Sequence, residues 1–383
     1  MAQSTSVYVF GSGDCGQLGL GEDVLQAARP KLLPYFQDKE IIQVSAGGLH
    51  TLALDASGRV YSWGCNDEKA LGHTEPEFQV GMVSFKERTP RMTRVSAGDS
   101  ISVSLDEQGR IWSWGTFRDS QGVLGHTAAS LFQEEPALCS GLTQPSSLKF
   151  VDIAAGANHL LALTEDRQIW AWGCGEQGQL GRRTSGRIKT SALRPTNVTP
   201  RRRQPMRVGL IVAGSYHSLF TDETGQILCA MGLNNHGQLG LGDNENRVTP
   251  EELDWKPDAG TKIIAMGAGE HHSLVLTSDG QCWATGRNDS GQLGIPSKSS
   301  LSILTRIPNH SFSQIATGGN HNLALSLDFQ RLFSWGYGEM HQLGHGEEEE
   351  EREPREIASL NSTSKVLSLT AGGQHSVLLT TRQ

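Results

Sequence analysis

The chain has 383 residues, a hydrophobic fraction of 37%, 45 Gly and a formal net charge of −8. The surplus of acidic groups disfavours capture of nucleic acid by the whole surface, so any basic site is local. No apolar run is long enough to span a bilayer, and residues 1–13 lack the charged and apolar regions of a secretory signal, which predicts an intracellular protein without a membrane anchor.

Two short phrases alternate along the chain. The first is a strand-like run that usually ends in an aromatic residue and Gly and closes with Leu-Gly, as in residues 7–19. The second is Ala-Gly-x-x-His followed by alternating apolar residues, as in residues 46–54. Each phrase occurs seven times, and the first Gly of the second phrase recurs at intervals of 49 to 58 residues. This period favours a β-propeller over a helical solenoid.

The alternation of apolar and small residues within one unit predicts antiparallel strands, as in residues 51–54 before the turn 55–58 and residues 60–63 after it. The chain begins with the first phrase and ends with the second, so its terminal strands are expected to share one blade. The predicted fold is therefore all-β, a closed seven-bladed propeller that forms a single domain over residues 1–383. A solenoid would need capping repeats, and the sequence has none.

The third unit departs from the repeat in two places. In WGTFRDSQGVLG, residues 114–125, Trp114 and Leu124 are ten positions apart, whereas the matching residues of the other units are eight apart. In the same unit Asp99-Ser100-Ile101 stands where the others have x-x-His. Both departures fall in predicted loops, where propellers contact their partners. Residues 117–123 are therefore expected to protrude.

The His of the second phrase recurs in six units, and a residue that recurs in this way is more typical of a structural hydrogen bond to the backbone than of a catalytic group. These residues are His50, His159, His217, His272, His321 and His375. The six Cys contain no Cys-x-x-Cys pair, which argues against a zinc site and against a disulfide framework. The chain also lacks a Walker-type phosphate loop and a nucleophile elbow, so neither a metal ion nor an organic cofactor is expected.

Seven copies of these phrases, over essentially the whole chain, resemble the repeat of the regulator of chromosome condensation family. Members of that family form seven-bladed propellers with unrelated functions: nucleotide exchange on the GTPase Ran, ultraviolet-B sensing, and modules of ubiquitin ligases. The third unit, GCNDEKALG (64–72) and GCGEQGQLGR (173–182) resemble the members that exchange nucleotide on Ran. In those members the loop of the third blade is a β-wedge that presses into the GTPase near its phosphate-binding loop.

The resemblance implies which residues of this chain meet the GTPase. The wedge would comprise Phe117, Arg118, Asp119, Ser120, Gln121, Gly122, Val123 and Leu124. The catalytic face would comprise Asp99, Asn158, His271, His272 and His375, with Asp14 beside them. Asn158 stands where the exchange factors have an Asp. The Asn keeps a hydrogen-bond acceptor but loses the negative charge. The implied partner is Ran, preferred without nucleotide, and the implied protein is a monomer that performs no covalent chemistry.

A second surface is indicated by a basic run of Arg201, Arg202 and Arg203, in the long connection 182–208. It stands in the place of the family's switchback loop, which contacts the acidic patch of the nucleosome, and a solvated charge run is the alternative interpretation. The resemblance thus implies binding to nucleosomes or histones in the nucleus, although the basic tail of many such members does not precede the first predicted strand, which starts by Val7. The acidic run 347–351 is expected to be a mobile loop without an assigned role.

Two other function classes stay open at this point. A propeller that serves only as an interaction scaffold, for chromatin or the ubiquitin pathway, would have no reason to keep the wedge phrase. An ultraviolet-B photoreceptor would need a Trp cluster at a dimer interface, and the Gly-Trp-Arg-His-Thr motif of that receptor is absent.

Overall fold

The computed structural model describes residues 5–86, 90–139, 141–142, 148–201, 205–358 and 364–382. In these ranges the chain forms β-strands and two 3₁₀ turns, Pro34–Phe36 and Lys189–Leu193. Within the same ranges no helix is long and apolar enough to cross a membrane.

The strands are labelled in chain order. The first fifteen are β1 (Thr5–Ser12), β2 (Gln26–Leu32), β3 (Ile41–Ala46), β4 (His50–Asp55), β5 (Val60–Gly64), β6 (Gly81–Met82), β7 (Met92–Ala97), β8 (Ile101–Asp106), β9 (Ile111–Gly115), β10 (Phe117–Asp119), β11 (Gly122–Gly125), β12 (Gln133–Leu138), β13 (Phe150–Ala155), β14 (His159–Thr164) and β15 (Ile169–Gly173). The following ones are β16 (Thr196–Asn197), β17 (Val208–Ala213), β18 (His217–Asp222), β19 (Leu228–Gly232), β20 (Arg247–Glu252), β21 (Ile263–Ala268), β22 (His272–Thr277), β23 (Cys282–Gly286), β24 (Leu301–Arg306), β25 (Phe312–Thr317), β26 (His321–Ser326), β27 (Leu332–Gly336), β28 (Glu351–Glu356), β29 (Val366–Ala371) and β30 (His375–Thr381).

Seven four-stranded antiparallel sheets form the blades of a closed ring, which confirms the predicted fold. Blade 1 has the order β2-β1-β30-β29, blade 2 is β3–β6, blade 3 is β7, β8, β9 and β12, and blades 4 to 7 are β13–β16, β17–β20, β21–β24 and β25–β28. The innermost strand of each blade contacts the innermost strand of the next, and β29 contacts β3. The pairing of β1 with β30, from Thr5 opposite Thr381 to Gly11 opposite His375, closes the ring inside blade 1.

The core of the protein is a series of seams, which we define as the interfaces between successive blades. In β4 every residue is buried, because blades pack on both faces of the strand. Leu52 and Leu54 lie in the apolar cluster shared with blade 3, whereas Ala53 lies in the cluster shared with blade 1. The alternation seen in the sequence therefore distributes side chains between two seams, since successive side chains of a strand point to opposite faces.

The Gly that closes the strand-like run of the first phrase ends the third strand in blades 2 to 7. Gly64 has φ +114°, and a Cβ added there would lie 2.4 Å from the carbonyl oxygen of Leu49. Both the backbone conformation and the close approach of the neighbouring strand require Gly at this position. This explains why Trp-Gly recurs in the sequence.

Six seams in the described chain share one polar link between blades. In each, the repeat His contacts a hydroxyl or amide oxygen of the following blade. The pairs are His50–Ser102 at 2.8 Å, His159–Ser218 at 2.8 Å, His217–Ser273 at 2.7 Å, His272–Asn322 at 2.9 Å, His321–Ser376 at 2.8 Å and His375–Thr51 at 2.7 Å. The Ser102 hydroxyl itself donates to the carbonyl of Ala70 at 2.7 Å, so the imidazole Nε2–H is the donor in the link from His50.

These links confirm a structural role for the repeat His and correct two predictions about it. The hydrogen bond goes to a side chain of the next blade rather than to backbone. His272 and His375, expected on the exposed face, are both 0% exposed and engaged in seams, so that placement is wrong. Burial lowers the pKa of His272 to about 4 and that of His375 to about 3, which leaves both rings neutral at pH 7.

Candidate functional site

The two extra residues of the third unit extend the connection between β9 and β12 into a separate hairpin. In this hairpin β10 pairs with β11, with Arg118 opposite Val123 and Asp119 opposite Gly122, so Ser120 and Gln121 form the turn. The hairpin is a two-stranded sheet of its own and does not extend the sheet of blade 3. The protrusion predicted from the spacing is therefore a regular, hydrogen-bonded element.

The hairpin is rooted in the seam between blades 3 and 4. Here Ile101 occupies the position of the repeat His, and Leu160 occupies the position of the hydroxyl that accepts from it elsewhere. Phe117 packs with both in one apolar cluster, and its ring lies 3.0 Å from the Cβ position of Gly173 in blade 4. An aromatic side chain thus fills the seam that lacks the His link.

The burial of Phe117 corrects the prediction that residues 117–123 all face a partner. Phe117 is 1% exposed, so its side chain belongs to the seam and not to the outer surface. Exposed residues of the hairpin are Arg118, Ser120, Gln121 and Val123. Asp119, Gly122 and Leu124 are partly buried.

Hydrogen bonds from polar groups of blade 4 fix the position of the hairpin. The side-chain oxygen of Asn158 accepts the backbone N–H of Arg118 at 2.8 Å. The carboxylate of Glu176 accepts both the backbone N–H and the hydroxyl of Ser120, at 2.9 and 3.0 Å. The acceptor of Asn158, expected to face the GTPase, is therefore occupied by the hairpin.

The hairpin stands at the same end of the ring as the loops that carry Asp99 and Asn158. This follows from the antiparallel blades, because the connection between the first and second strands and the connection between the third and fourth strands lie at one end. The seven inner loops surround a cavity of about 700 Å³ at the mouth of the central channel, which Arg118 and Glu270 also line. We call this end of the ring the hairpin face.

Asp99 is an exposed residue inside this mouth, and its backbone N–H donates to the carbonyl of Ala157 at 3.0 Å. The surrounding loops exclude much of the bulk water, and Glu270 adds a like charge. Desolvation first, and then Glu270, raise the pKa of Asp99 to about 6. The carboxylate is therefore ionised at pH 7 but poised to bind a proton or a cation.

His271 lies beside this mouth, with its side chain 15% exposed. Its ring contacts those of His236 and Tyr216, with centroids 5.0 and 5.7 Å away, and its Nε2 lies 3.7 Å from a carboxylate oxygen of Glu270. Desolvation lowers the pKa of His271 despite the nearby carboxylate. The structure thus separates the two adjacent His residues: His271 reaches the hairpin face and His272 does not.

An acidic rim surrounds the hairpin face. Asp14 is exposed in the loop between β1 and β2, and the same position of the repeated phrase is acidic in four other blades. These residues are Asp67, Glu176, Asp289 and Glu339, all exposed. Sequence reasoning selected Asp14 alone, although aligning the seven copies of the phrase reveals the whole rim. A ring of carboxylates favours a cationic partner surface.

The side chains of the hairpin face are suited to binding a partner rather than to covalent or metal chemistry. Among the described residues, no group of three or more His, Cys, Asp or Glu side chains could hold a metal ion. The six Cys are free, and burial raises the pKa of Cys65, which lines the mouth, to about 11. The arrangement presents a preorganised hairpin surrounded by carboxylates.

Arg201, the first residue of the basic run, lies in the connection between β16 and β17, at the end of the ring opposite the hairpin. Arg201 is exposed, whereas Arg202 and Arg203 lie outside the described residues. The acidic run leads directly into a strand. Glu351 begins strand β28, and Arg355 pairs with Glu347 at 3.3 Å and with Glu351 at 2.5 Å.

Comparisons with known proteins place this fold in one family. The model of the RCC1-like domain matches residues 6–378. The regulator of chromosome condensation of Mus musculus is 35% identical over 393 residues, which cover 97% of this chain and 90% of the relative. The guanine nucleotide exchange factor SRM1 of Saccharomyces cerevisiae is 29% identical over 98% of this chain and 87% of its own length.

A solved structure and a functionally different relative complete the comparison. The crystal structure of Prp20p from Saccharomyces cerevisiae, described with its binding properties to Gsp1p and histones, is 30% identical and superposes with a TM-score of 0.91 over 100% of this chain and 93% of that one. The ultraviolet-B receptor UVR8 of Arabidopsis thaliana is 31% identical over 96% of this chain and 80% of its own length. The extent of the family match and the identity to its members lead to one conclusion: the chain belongs to the RCC1-like domain family of the regulators of chromosome condensation.

Proposed function

We propose that this protein is a guanine nucleotide exchange factor for the small GTPase Ran. The observation that carries the proposal is the hairpin of residues 117–125, which stands on an acidic face and is rooted in a seam that departs from the others. Membership of the family and similarity to a yeast exchange factor support the choice of reaction. Similarity to Prp20p, studied for binding to Gsp1p, supports a GTPase as the partner.

The mechanism follows from differential binding. GTPases hold their nucleotide with Mg²⁺, a Lys and backbone amides around the phosphates. A protein shifts the GTPase toward its empty state only if it binds the empty GTPase better than the loaded one. A hairpin that displaces the phosphate-binding loop supplies this difference, because the displaced loop no longer fits the phosphates.

The carboxylates of the hairpin face have a complementary role in this mechanism. When the phosphates leave, the cationic groups of the GTPase that held them lose their partners. Asp14 and Asp99 offer those groups negative charge, and His271 borders the same surface. A roughly 10⁵-fold acceleration corresponds to about 7 kcal/mol, which requires several contacts acting together rather than one ion pair.

The direct test is release of fluorescent GDP from purified Ran in the presence of excess unlabelled nucleotide. The proposal predicts that catalytic amounts of this protein accelerate release by several orders of magnitude. A release rate equal to the spontaneous rate, with the protein folded and in excess over Ran, would contradict the proposal.

Asp99→Asn is expected to slow release roughly 10-fold at pH 7.5, because a neutral amide binds a cationic group less well. In the wild-type protein the rate is expected to fall as the pH drops through about 6, where Asp99 gains a proton. The ratio of wild-type to variant rates, measured from pH 7.5 to 5.5, isolates this group from the titration of Ran. A constant ratio would show that the charge of Asp99 takes no part in release.

The same variant is expected to be at least as stable as the wild type at pH 7.5. The folded-state pKa of Asp99 is raised above its unfolded value, so the folded state binds more protons than the unfolded state between those two pKa values. The ionised group therefore opposes folding at neutral pH, and its removal relieves that cost. Loss of both stability and activity would instead assign Asp99 to the structure.

We also propose that the protein is nuclear and associates with chromatin through the connection that carries Arg201. Its support is the resemblance of this connection to the family's nucleosome-binding loop and the similarity to Prp20p, which was studied for binding to histones. Replacing Arg201, Arg202 and Arg203 by Ala is expected to weaken nucleosome binding and leave exchange on free Ran unchanged, because the connection lies opposite the hairpin. Binding assays at low salt check the first expectation, and unchanged affinity would reject the loop as a binding element.

The arrangement of Trp residues disfavours the ultraviolet-B receptor alternative. None of the eight Trp is exposed, and Trp63, Trp114 and Trp335 are fully buried between blades. The indole N–H of Trp114, for example, donates to the carbonyl of Ala70 in blade 2 at 2.7 Å. We therefore propose a monomer in which Trp stabilises the seams, and a change of oligomeric state under ultraviolet-B light would contradict it.

A further inference from the structure

We propose that Lys189 and Glu176 of blade 4 are positioning residues for nucleotide exchange, which fix the tip of the hairpin at the height needed to enter the GTPase. The proposal rests on the exchange function proposed above. It concerns two residues that do not belong to the hairpin, and Lys189 also lies outside the repeated phrases.

The ammonium of Lys189 joins the hairpin to the body of the propeller. Its Nζ lies 2.6 Å from a carboxylate oxygen of Asp119 and 3.2 Å from one of Glu176. Glu176 in turn holds the turn residue Ser120 through two hydrogen bonds. Three consecutive links therefore connect the tip of the hairpin to blade 4, and we call these links the clamp.

The base of this connection is firmly anchored. Lys189 begins the 3₁₀ turn Lys189–Leu193, which contacts both β11 and β15. Leu193 at the end of the turn lies in the same apolar cluster as Phe117. The ammonium is thus presented from a segment that packs on the root of the hairpin.

The two carboxylates depend on the one ammonium between them. Asp119 has a side chain only 6% exposed, and its burial disfavours the charged form. Hydrogen bonds from Lys189 and from the backbone N–H of Gln121 outweigh that burial and hold the pKa of Asp119 below its ordinary value. Without Lys189 two nearby like charges would repel each other, one on the hairpin and one on blade 4.

The opposite flank of the hairpin has a tether of its own. The Arg118 guanidinium pairs with Glu68 in blade 2, while the backbone N–H of the same residue donates to Asn158 in blade 4. Loss of the Lys189 bridge would leave the tip held to blade 4 only by the hydrogen bonds between Ser120 and Glu176, against the repulsion between Asp119 and Glu176 and the ion pair with blade 2. The tip would then move away from blade 4 while Phe117 remains in its seam.

Lys189→Met is expected to lower the maximal rate of GDP release from Ran roughly 10- to 100-fold, since misplacement by about 1 Å is enough for such a loss. The Ran concentration at half-maximal rate is expected to change less than 3-fold, roughly, because the acidic rim that attracts Ran is intact. Lys189→Arg retains a cation at this place and is expected to recover most of the rate. The melting temperature of both variants is expected to change little, because partly exposed ion pairs contribute little to stability.

Lys86→Met is the matched control. Lys86 is an exposed Lys that pairs with Glu135 of β12 at 2.8 Å, so its replacement removes a comparable surface ion pair outside the clamp. Its release rate is expected to equal that of the wild type. Equal rates for Lys189→Met and wild type would overturn the proposal, as would an equal loss in Lys189→Met and Lys189→Arg.

Hydrogen exchange tests the clamp without Ran. The backbone N–H groups of Arg118 and Ser120 are expected to exchange faster in Lys189→Met than in the wild type, with the blade strands unchanged. Unchanged exchange rates of these two N–H groups would contradict the proposed role of the clamp. Failure of the wild-type protein to release GDP would contradict the exchange function instead, so the two failures are distinguishable.

Discussion

Deleting Ser120 and Gln121 is expected to lower the rate of GDP release from Ran by at least about 100-fold, because catalytic contacts misplaced by only 1 Å already lose that much. The deletion restores the eight-residue spacing of the other blades. It leaves Asp119 and Gly122 adjacent, and Asp-Gly is a favourable pair for a tight hairpin turn. The shortened hairpin would reach about 3.3 Å less far, the rise of one strand residue.

A second variant distinguishes the effect of a shorter hairpin on GDP release from an effect on the stability of the fold. Replacing residues 117–123 by the NDEKA of residues 66–70 also gives ordinary spacing, but it removes Phe117 from the seam between blades 3 and 4. We expect the same loss of release and an additional loss of about 3–5 kcal/mol in the free energy of unfolding. Stopped-flow release and denaturant unfolding measure the two effects. Wild-type release by the two-residue deletion would reject the hairpin as the wedge.

The second large effect is expected on acidification, since the six seam His residues are buried and neutral. Their folded-state pKa values are about 3 to 4, lowered by desolvation from 6.5. The unfolded chain therefore binds more protons than the folded one below pH 6.5, and stability is lost as the pH falls through this window. At pH 5 each His lowers the free energy of unfolding by about 2 kcal/mol. Six lower it by roughly 12 kcal/mol, which is comparable to the whole stability of many domains.

Urea unfolding at pH 7.5, 6 and 5 checks this expectation. The free energy of unfolding is expected to fall steeply, and most of the fold is expected to be lost near pH 5. His375→Gln supplies a matched variant, because Gln can still donate to Thr51 and does not titrate in this range. Equal stability at all three pH values would show that the seam imidazoles titrate as in the unfolded chain.

The ring could be predicted from the sequence because each unit repeats the same physical requirements. Trp-Gly recurs since a Cβ at Gly64 would meet the carbonyl of Leu49, and the alternation around Leu52 recurs since each second strand fills two seams. The position of the hairpin could be predicted for the same reason, as two residues in excess of a fixed spacing. The family resemblance assigned Asp99 and His271 to the GTPase-facing surface, and both lie at the hairpin face.

The support of the hairpin could not be predicted, because it depends on pairs that only the ring brings together. Lys189 is 70 residues from Asp119, and nothing in its own segment indicates a carboxylate partner. Ile101 and Leu160 both depart from the repeat, but their common cause, the ring of Phe117 between them, is visible only across a seam. His272 and His375 were misplaced because family resemblance gives a position in the chain and not the direction of a side chain.

The proposed exchange function requires that the protein bind Ran without nucleotide in preference to Ran with nucleotide. The most direct measurement is the affinity of the wild-type protein for Ran stripped of nucleotide and for Ran saturated with GDP, under identical salt and Mg²⁺. We expect binding to the empty form to be tighter by at least about 100-fold, or about 2.7 kcal/mol. Equal affinity for the two forms would contradict the account, because a protein that binds both states equally shifts neither.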